Sequence, residues 1–364
     1  MVRVQWVQQV REVQTVQFRF ATHVLEQAIR DQAFPATVIE VGDATRPLWR
    51  RAFGRLTFDA GAPPATDETI FDLASLTKVL ATTPLVMQQV ERGAIGLDDP
   101  VGRHVEAWTG ADRSAVTIRD LLSHSGGLTA WVPFFREHHG RAAFERAICA
   151  VPLEYPPRAK SIYSDLGFML LGFILDGEVT LARRFDSVLA QMSIVGDLQF
   201  HPPPLWNART APTEIDPWRG RLLVGEAHDE NCFALGGAAG HAGLFGTVSA
   251  TGDCARHLLQ VLGGRTGAFS RATLETFVAR REDVPDSSRA LGWDTMLSTS
   301  SCGSRLSPRS FGHTGFTGTS LWIDPDRGVY IALLTNRVHP TRTNEAIKQV
   351  RPAVHDAVVE DLDG

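Results

Sequence analysis

Runs with β-strand character lie at the two ends of this chain and are scarce between them, which restricts how it can close a core. Ala36 to Val41 and Leu48 to Phe53 are extended stretches joined by Gly42-Asp43-Ala44-Thr45-Arg46-Pro47, which reads as a hairpin with a longer turn. Near the other end, Phe311 to Gly315, Thr319 to Ile323 and Val329 to Leu334 are short β-rich runs. Asp324-Pro325-Asp326-Arg327-Gly328 makes the turn between the last two. The long middle reads as helices and loops. The expected arrangement is one sheet assembled from residues 1–72 and 285–364, with residues 73–284 as a mostly helical domain inserted beside it. A length of 364 residues suits two such units, at about 150 residues per domain. A cleft between them is a usual place for a ligand.

Helical periodicity fills in the rest. Phe18, Ala21, Leu25, Ala28 and Ile29 predict a first helix ending near Asp31, and Leu76, Val79, Leu80, Leu85, Val86 and Val90 predict another that stops at Gly93. Pro84 is expected to kink or split that second helix. Ile118 to Leu122, Ala142 to Ala150, Leu166 to Leu175 and Gly252 to Leu262 are further helical candidates. A C-terminal helix is expected from Pro352 to Leu362, with the proline at its first position.

Charge and apolar patterning exclude several function classes. Acidic and basic residues number 41 and 36, with no block of like charge, so nothing offers the clustered cations that a nucleic-acid backbone needs. The longest apolar run, Phe168 to Leu175, is far short of the roughly 20 residues that span a bilayer, and no membrane association is expected. Four scattered cysteines, Cys149, Cys232, Cys254 and Cys302, fit neither a zinc knuckle nor a disulfide scaffold. Arg3, Arg11, Glu12 and Arg19 interrupt any export-signal core, which predicts a cytoplasmic protein as written. An exported form remains open if the unusual Val-Gln repeat of the first 17 residues marks an extension or a misplaced start.

Lysine is scarce enough to be informative. Only Lys78, Lys160 and Lys348 occur, and every other basic residue is arginine. An amine can give up its proton when desolvated, whereas a guanidinium cannot, so each lysine invites a chemical question. Lys78 closes Ser75-Leu76-Thr77-Lys78 at a predicted helix start. Three residues along a helix is about one turn, which brings the amine within reach of the serine hydroxyl. A serine is a poor nucleophile until a base takes its proton, and the helix N-terminus adds N–H donors where an oxyanion would form. Tyr163-Ser164-Asp165 sits just before the apolar helix from Leu166. Its phenol can share a proton with a serine and a lysine if nearby cations lower its pKa, and Asp165 can bond the lysine amine. His313-Thr314-Gly315 falls on a late strand and offers a donor or weak acid, with the backbone N–H of Phe316 as a second oxyanion-hole donor. Each segment alone has a bland reading as a helix cap, a half-buried tyrosine or a surface histidine. The three together, in that order, are far less frequent by chance.

S-x-x-K, Y-S-[Asn/Asp] and [Lys/His]-T-G in this order resemble the serine β-lactamase-like superfamily, which includes class C β-lactamases, D,D-peptidases and family VIII carboxylesterases. Ile70-Phe71-Asp72-Leu73-Ala74, Leu97-Asp98-Asp99-Pro100-Val101, the segment Thr117 to Leu128 and Ala242-Gly243-Leu244-Phe245 are similar to the family too. The resemblance runs from about Phe18 to Leu362. It implies an α+β fold (α/β sandwich) of the β-lactamase/transpeptidase type, with an antiparallel sheet flanked by N- and C-terminal helices. It also implies Ser75 as the acylated nucleophile, Lys78 as its proton partner and Tyr163 as general base and acid. Asp165 takes the position usually held by Asn and His313 that often held by Lys. The backbone N–H groups of Ser75 and Phe316 would form the oxyanion hole, and Thr314 and Gly315 would line the substrate. A neutral His313 weakens the cation that would meet a substrate carboxylate, and Asp165 adds negative charge. Both changes favour an esterase or a peptidase-like hydrolase over an efficient β-lactamase.

The segment Gly225-Glu226-Ala227-His228-Asp229-Glu230-Asn231, followed by Gly236 to Gly243, is Gly-rich and polar. It resembles a subgroup of penicillin-binding-protein-like hydrolases, hints at small-molecule or peptidoglycan-derived substrates, and makes His228 and His241 candidate substrate contacts. No metal-ligand spacing supports a metal site there, and no organic cofactor is required. The leading expectation is a serine hydrolase acting through an acyl-enzyme on an ester, amide or β-lactam. The alternative is a catalytically silent homologue that binds muropeptides or serves assembly. The oligomeric state is not read from the sequence.

Overall fold

The computed structural model describes residues 16–298 and 300–364. The Val-Gln repeat up to Val13-Gln14, and with it the expectation about an export segment, lies outside the described residues. In chain order the helices are α1 (Arg19–Arg30), α2 (Thr83–Glu91), α3 (Ile118–Leu122), α4 (Arg141–Ala150), α5 (Asp165–Leu175), α6 (Leu181–Met192), α7 (Glu230–Ala234), α8 (Val248–Leu262), α9 (Arg271–Val278) and α10 (Ile347–Asp363). The strands are β1 (Ala36–Asp43), β2 (Pro47–Gly54), β3 (Phe71–Asp72), β4 (Leu198–Phe200), β5 (Ile215–Asp216), β6 (Arg221–Leu222), β7 (Leu244–Gly246), β8 (Asp294–Thr295), β9 (Phe311–Thr314), β10 (Ser320–Asp324) and β11 (Val329–Thr335).

The main sheet has the order β2-β1-β11-β10-β9-β8, so β1 from one end of the chain pairs antiparallel with β11 from the other. Alternation along the strands sends side chains to opposite faces. Ile39, Val41, Ile331 and Leu333 join Ala21, Leu25 and Ala28 of α1 and Val354 and Val358 of α10, whereas Val38, Ala332 and Leu334 join the large core that includes Ala255 and Leu258 of α8. With both faces covered, β1 and β11 are apolar almost without interruption, which is why they read so clearly as strands. Asp361 at the end of α10 accepts the backbone N–H groups of Arg19, Phe20 and Ala21, so the C-terminal helix caps the N-terminal one.

Two expected boundaries moved. The C-terminal helix starts at Ile347, five residues before Pro352, and the proline lies inside it. Burial of Ile347, Val354 and Val358 against α1 outweighs the one backbone bond that Pro352 cannot make. The helix after Ser75 is not simply kinked at Pro84: Lys78–Thr82 is a π-turn feeding straight into α2, with the Thr83 N–H reaching back to the Lys78 carbonyl. A π-turn of this kind is frequent at functional sites. Helices α6, α7 and α9 were not among the sequence candidates. All four cysteines are buried and unpaired. Among the described residues, no helix is long and apolar enough to cross a membrane.

Candidate active site

Ser75 sits in the turn between β3 and the helix that begins at Leu76. Ala74 before it has a φ of 46°, a left-handed conformation that is costly for a residue with a side chain. Buried Asp72 holds this strained turn, accepting the Ala74 N–H at 2.8 Å and the His228 N–H at 2.7 Å. The sharp turn leaves Ser75 reachable while its neighbours Ala74, Leu76, Thr77 and Lys78 are buried.

Lys78, fully buried, donates from Nζ to Ser75 Oγ at 3.0 Å, to Asp165 Oδ1 at 2.7 Å and to the His241 carbonyl at 3.1 Å. Three acceptors suit the three protons of an ammonium. Burial alone would lower the pKa of this amine, but the Asp165 charge and the Tyr163 phenol outweigh it and leave it above its ordinary value. Asp165 is the first residue of α5, and the Tyr163–Asp165 segment is held by Ser164 Oγ donating to the Thr129 carbonyl and by the Ser164 N–H donating to His124 Nδ1.

Tyr163 Oη donates to Ser75 Oγ at 2.8 Å. Its ring lies 4.9 Å from Lys78 Nζ and 5.3 Å from the Arg289 guanidinium carbon, and it packs against the rings of His124 and His313 at centroid distances of 4.7 and 5.7 Å. The sequence leads one to expect neighbouring cations to lower this phenol's pKa. Burial raises it instead, and Lys78 offsets that only in part, so the resting phenol is neutral.

His313 is buried on β9, and its Nδ1 faces the Thr314 carbonyl at 2.8 Å. A carbonyl only accepts, so this contact assigns the proton to Nδ1 and leaves Nε2 as an acceptor with no partner among the described residues. Burial, with Arg289 and Lys78 nearby, pushes its pKa well below the usual histidine range. His313 is therefore a neutral acceptor, not the donor or weak acid anticipated from the sequence.

Thr314 ends β9 and leads into the turn Gly315-Phe316-Thr317-Gly318, which lies against the backbone before Ser75. Thr317 Oγ1 donates to the Asp72 carbonyl at 2.7 Å and Thr319 Oγ1 to the Leu73 carbonyl at 3.1 Å. Gly315 is required here, because a Cβ would stand 2.7 Å from the Leu73 carbonyl oxygen and 2.1 Å from Thr319 Oγ1. Among the described residues, neither the Ser75 nor the Phe316 N–H has a hydrogen-bond partner, as two donors reserved for an oxyanion would require.

His228 and His241 are both buried. His228 Nε2 pairs with Glu214 Oε2 at 2.9 Å, and its ring stacks on half-exposed Phe316 at 5.7 Å. His241 Nε2 pairs with Asp229 Oδ1 at 2.9 Å while its carbonyl accepts from Lys78. Burial opposes ionisation of Asp229, but His241 and the Cys232 N–H outweigh it and hold the carboxyl below its usual range. The Gly-rich segment thus meets the site through Phe316, on which the His228 ring stacks, and through Lys78, whose amine donates to the His241 carbonyl. Among the described residues, no three His, Cys, Asp or Glu side chains cluster to hold a metal ion.

Two neighbours of Tyr163 went unrecognised in the sequence. Arg289 has only a distant carboxylate, Asp294 at 3.9 Å, and carried no signal in a chain whose positive charge is almost all arginine. His124 has a φ of 56° and lies inside the segment Thr117 to Leu128, which carried a family resemblance and no assigned role for this residue.

A strained serine before a helix, a lysine three residues on and a tyrosine from a second element define, with this fold, a serine hydrolase. Residues 21–355 match the family model described as Beta-lactamase, and the chain belongs to that family. A protein of Escherichia coli (strain K12), provisionally named a D-alanyl-D-alanine carboxypeptidase, is 29% identical over 351 residues, covering 85% of this chain and 80% of its own. One of the same provisional name from Salmonella gallinarum is 32% identical over 322 residues, covering 78% and 73%. Among solved structures, EstCE1, described as a hydrolase with promiscuous acyltransferase activity, superposes with a TM-score of 0.71 at 20% identity, covering 93% of this chain and 98% of that one. Unliganded simvastatin synthase from Aspergillus terreus superposes with a TM-score of 0.70 at 20% identity, covering 95% and 98%. At such identities these two likenesses are of fold.

Proposed function

We propose that this protein is a D,D-carboxypeptidase-like hydrolase that forms an acyl-enzyme on Ser75. The observation that carries the reading is Ser75 Oγ held between Lys78 Nζ at 3.0 Å and Tyr163 Oη at 2.8 Å. Both partners are protonated at rest, so the active form of the Lys78–Tyr163 pair holds one proton fewer, with the phenolate stabilised by Lys78 and Arg289. Ser75 Oγ then attacks the carbonyl carbon and passes its proton to that pair. The carbonyl oxygen takes the negative charge against the Ser75 and Phe316 N–H groups. Collapse of the tetrahedral species expels the leaving amine or alkoxide, which takes the proton, and water releases the acyl group by the reverse sequence. All proton transfers run through Lys78 and Tyr163.

A substrate ending in a carboxylate is supported by Arg289, whose guanidinium lies over the Tyr163 ring without a close carboxylate partner. The relatives provisionally named D-alanyl-D-alanine carboxypeptidases, at about a third identity, support a peptidoglycan-derived peptide. The esterase reading is favoured by one observation, the neutral state of His313, which supplies no cation of its own.

Release of D-alanine from a diacetyl-Lys-D-Ala-D-Ala peptide, lost in Ser75→Ala, tests the proposal. Intact-mass spectra should show one penicillin or phosphonate adduct on the wild type and none on Ser75→Ala. Hydrolysis of aryl esters with no D-alanine release would select the esterase reading, and equal labelling of both proteins would reject Ser75 as nucleophile.

A further inference from the structure

Arg351 lies on α10, the last helix of the chain, and its guanidinium is buried with no carboxylate partner among the described residues. An unneutralised buried charge needs strong hydrogen bonds to be tolerated. Both bonds that Arg351 makes go to the turn after β9: Nη2 donates to the Gly315 carbonyl at 2.5 Å and Nε to the Gly318 carbonyl at 3.3 Å. Gly315 O also accepts the Gly318 N–H at 3.1 Å, which closes the turn. Arg337 ties down the next carbonyls, with Nε donating to Phe316 O at 2.7 Å and its backbone N–H to Thr317 O at 2.9 Å.

The consequence follows from peptide geometry. The Gly315–Phe316 peptide is trans, so its C=O and N–H point in opposite directions. A donor that fixes the Gly315 carbonyl on the α10 side fixes the Phe316 N–H on the other. A cation at that carbonyl also polarises the peptide and makes its N–H a stronger donor. Burial, with Arg337 nearby, brings the Arg351 pKa down to about 9, which still leaves the guanidinium charged at neutral pH.

We propose that Arg351 is a positioning residue for the oxyanion hole, locking the Gly315–Phe316 peptide with its N–H turned toward the substrate carbonyl. The proposal rests on the reading of Ser75 as the acylated nucleophile. It assigns a catalytic consequence to the C-terminal helix, which otherwise covers the sheet and caps α1.

The test compares wild type, Arg351→Lys and Arg351→Met in hydrolysis of p-nitrophenyl butyrate and in affinity for phenylboronic acid, which forms a tetrahedral adduct on a nucleophilic serine. Circular dichroism checks the fold. Loss of one oxyanion donor costs about 100- to 1000-fold, so misorienting one should lower kcat about 10- to 100-fold in Arg351→Met. KM should stay within about 3-fold, boronate affinity should fall in step with kcat, and Arg351→Lys should recover part of both. A folded variant of either kind with kcat and boronate affinity within about 2-fold of wild type overturns the proposal, and so does a rise in KM at constant kcat. If Arg351→Met does not fold, Arg351→Lys decides on the same criteria. A wild type that shows neither Ser75-dependent ester hydrolysis nor Ser75-dependent boronate binding overturns the underlying reading as well, a result distinct from failure of the positioning role alone.

Discussion

Ser75 Oγ accepts hydrogen bonds from both Tyr163 Oη and Lys78 Nζ, so the resting nucleophile is surrounded by donors and faces no free base. Burial keeps the phenol neutral, and Asp165 keeps the amine charged. Activation is therefore a deprotonation of the set, and the arrangement makes its rate depend on pH in a defined direction.

Tyr163→Phe removes the phenol and leaves the Lys78 bond to Ser75 intact. General acid–base groups contribute about 100- to 10000-fold, and kcat for p-nitrophenyl butyrate should fall within that range while the unfolding temperature stays close to that of wild type. Retention of more than a tenth of the rate would assign proton transfer to Lys78 alone.

Asp165→Asn removes the anion that raises the Lys78 pKa and that also opposes loss of the Tyr163 proton. Both groups then release a proton at lower pH. The rising limb of kcat/KM against pH should move downward in the variant, measured between pH 6 and 10. A limb that stays in place or moves upward would show that Asp165 does not set the protonation of the pair.

Arg289→Gln tests the carboxylate. A charged hydrogen bond is worth about 1.5–3 kcal/mol, or roughly 10- to 100-fold. KM for a peptide ending in D-alanine should rise by that factor, while the same peptide with an amidated C-terminus and a neutral aryl ester should keep their KM and lose only the share of kcat that Arg289 supplies by stabilising the Tyr163 phenolate. Equal loss on all three substrates would instead make Arg289 a partner of Tyr163 with no part in substrate recognition.

Much of this was legible in the sequence because the relevant constraints are local. Short β-rich runs and turn composition mark β1, β2, β10 and β11, and the three-residue spacing from Ser75 to Lys78 sets a side-chain contact within one helical turn. The order of the motifs linked Tyr163 and His313 to Ser75 only through family resemblance. Contacts made across the fold left no such trace. Arg289 and Arg351 reach the site from elements distant in sequence and look like every other arginine until the sheet closes. The neutral state of His313 agrees with the sequence reading, but its expected role as donor or weak acid differs for the same reason: the carbonyl that fixes its tautomer is a property of the packed turn.

Asp361→Ala should loosen the packing of α1 and α10 on the main sheet without touching the site. It removes the acceptor for three N–H groups at the start of α1, and loss of a cap costs about 0.5–2 kcal/mol. Thermal unfolding should shift down by a few degrees with kcat unchanged. No shift would mean that water replaces the carboxylate at no cost.

Five buried histidines, His339 among them, are held below the usual histidine range by burial and set the behaviour in acid. His124 and His313 are pushed well below the usual histidine range, chiefly by burial, and burial brings His257 down to about 4 and His355 to about 3. A folded pKa below the unfolded value of about 6.5 means that the unfolded chain binds protons first as pH falls. Their contribution is complete above pH 6.5 and is lost below it, continuing down to the folded pKa values. At pH 5 each of His257 and His355 has lost about 2 kcal/mol, a large share of a total stability of about 5–15 kcal/mol. The urea midpoint should fall steeply between pH 6.5 and 5, above the range where most carboxylates titrate, and His257→Gln should flatten that fall. A midpoint constant down to pH 5 would mean that these imidazoles accept protons in the folded protein, and the packing around them would then have to admit water.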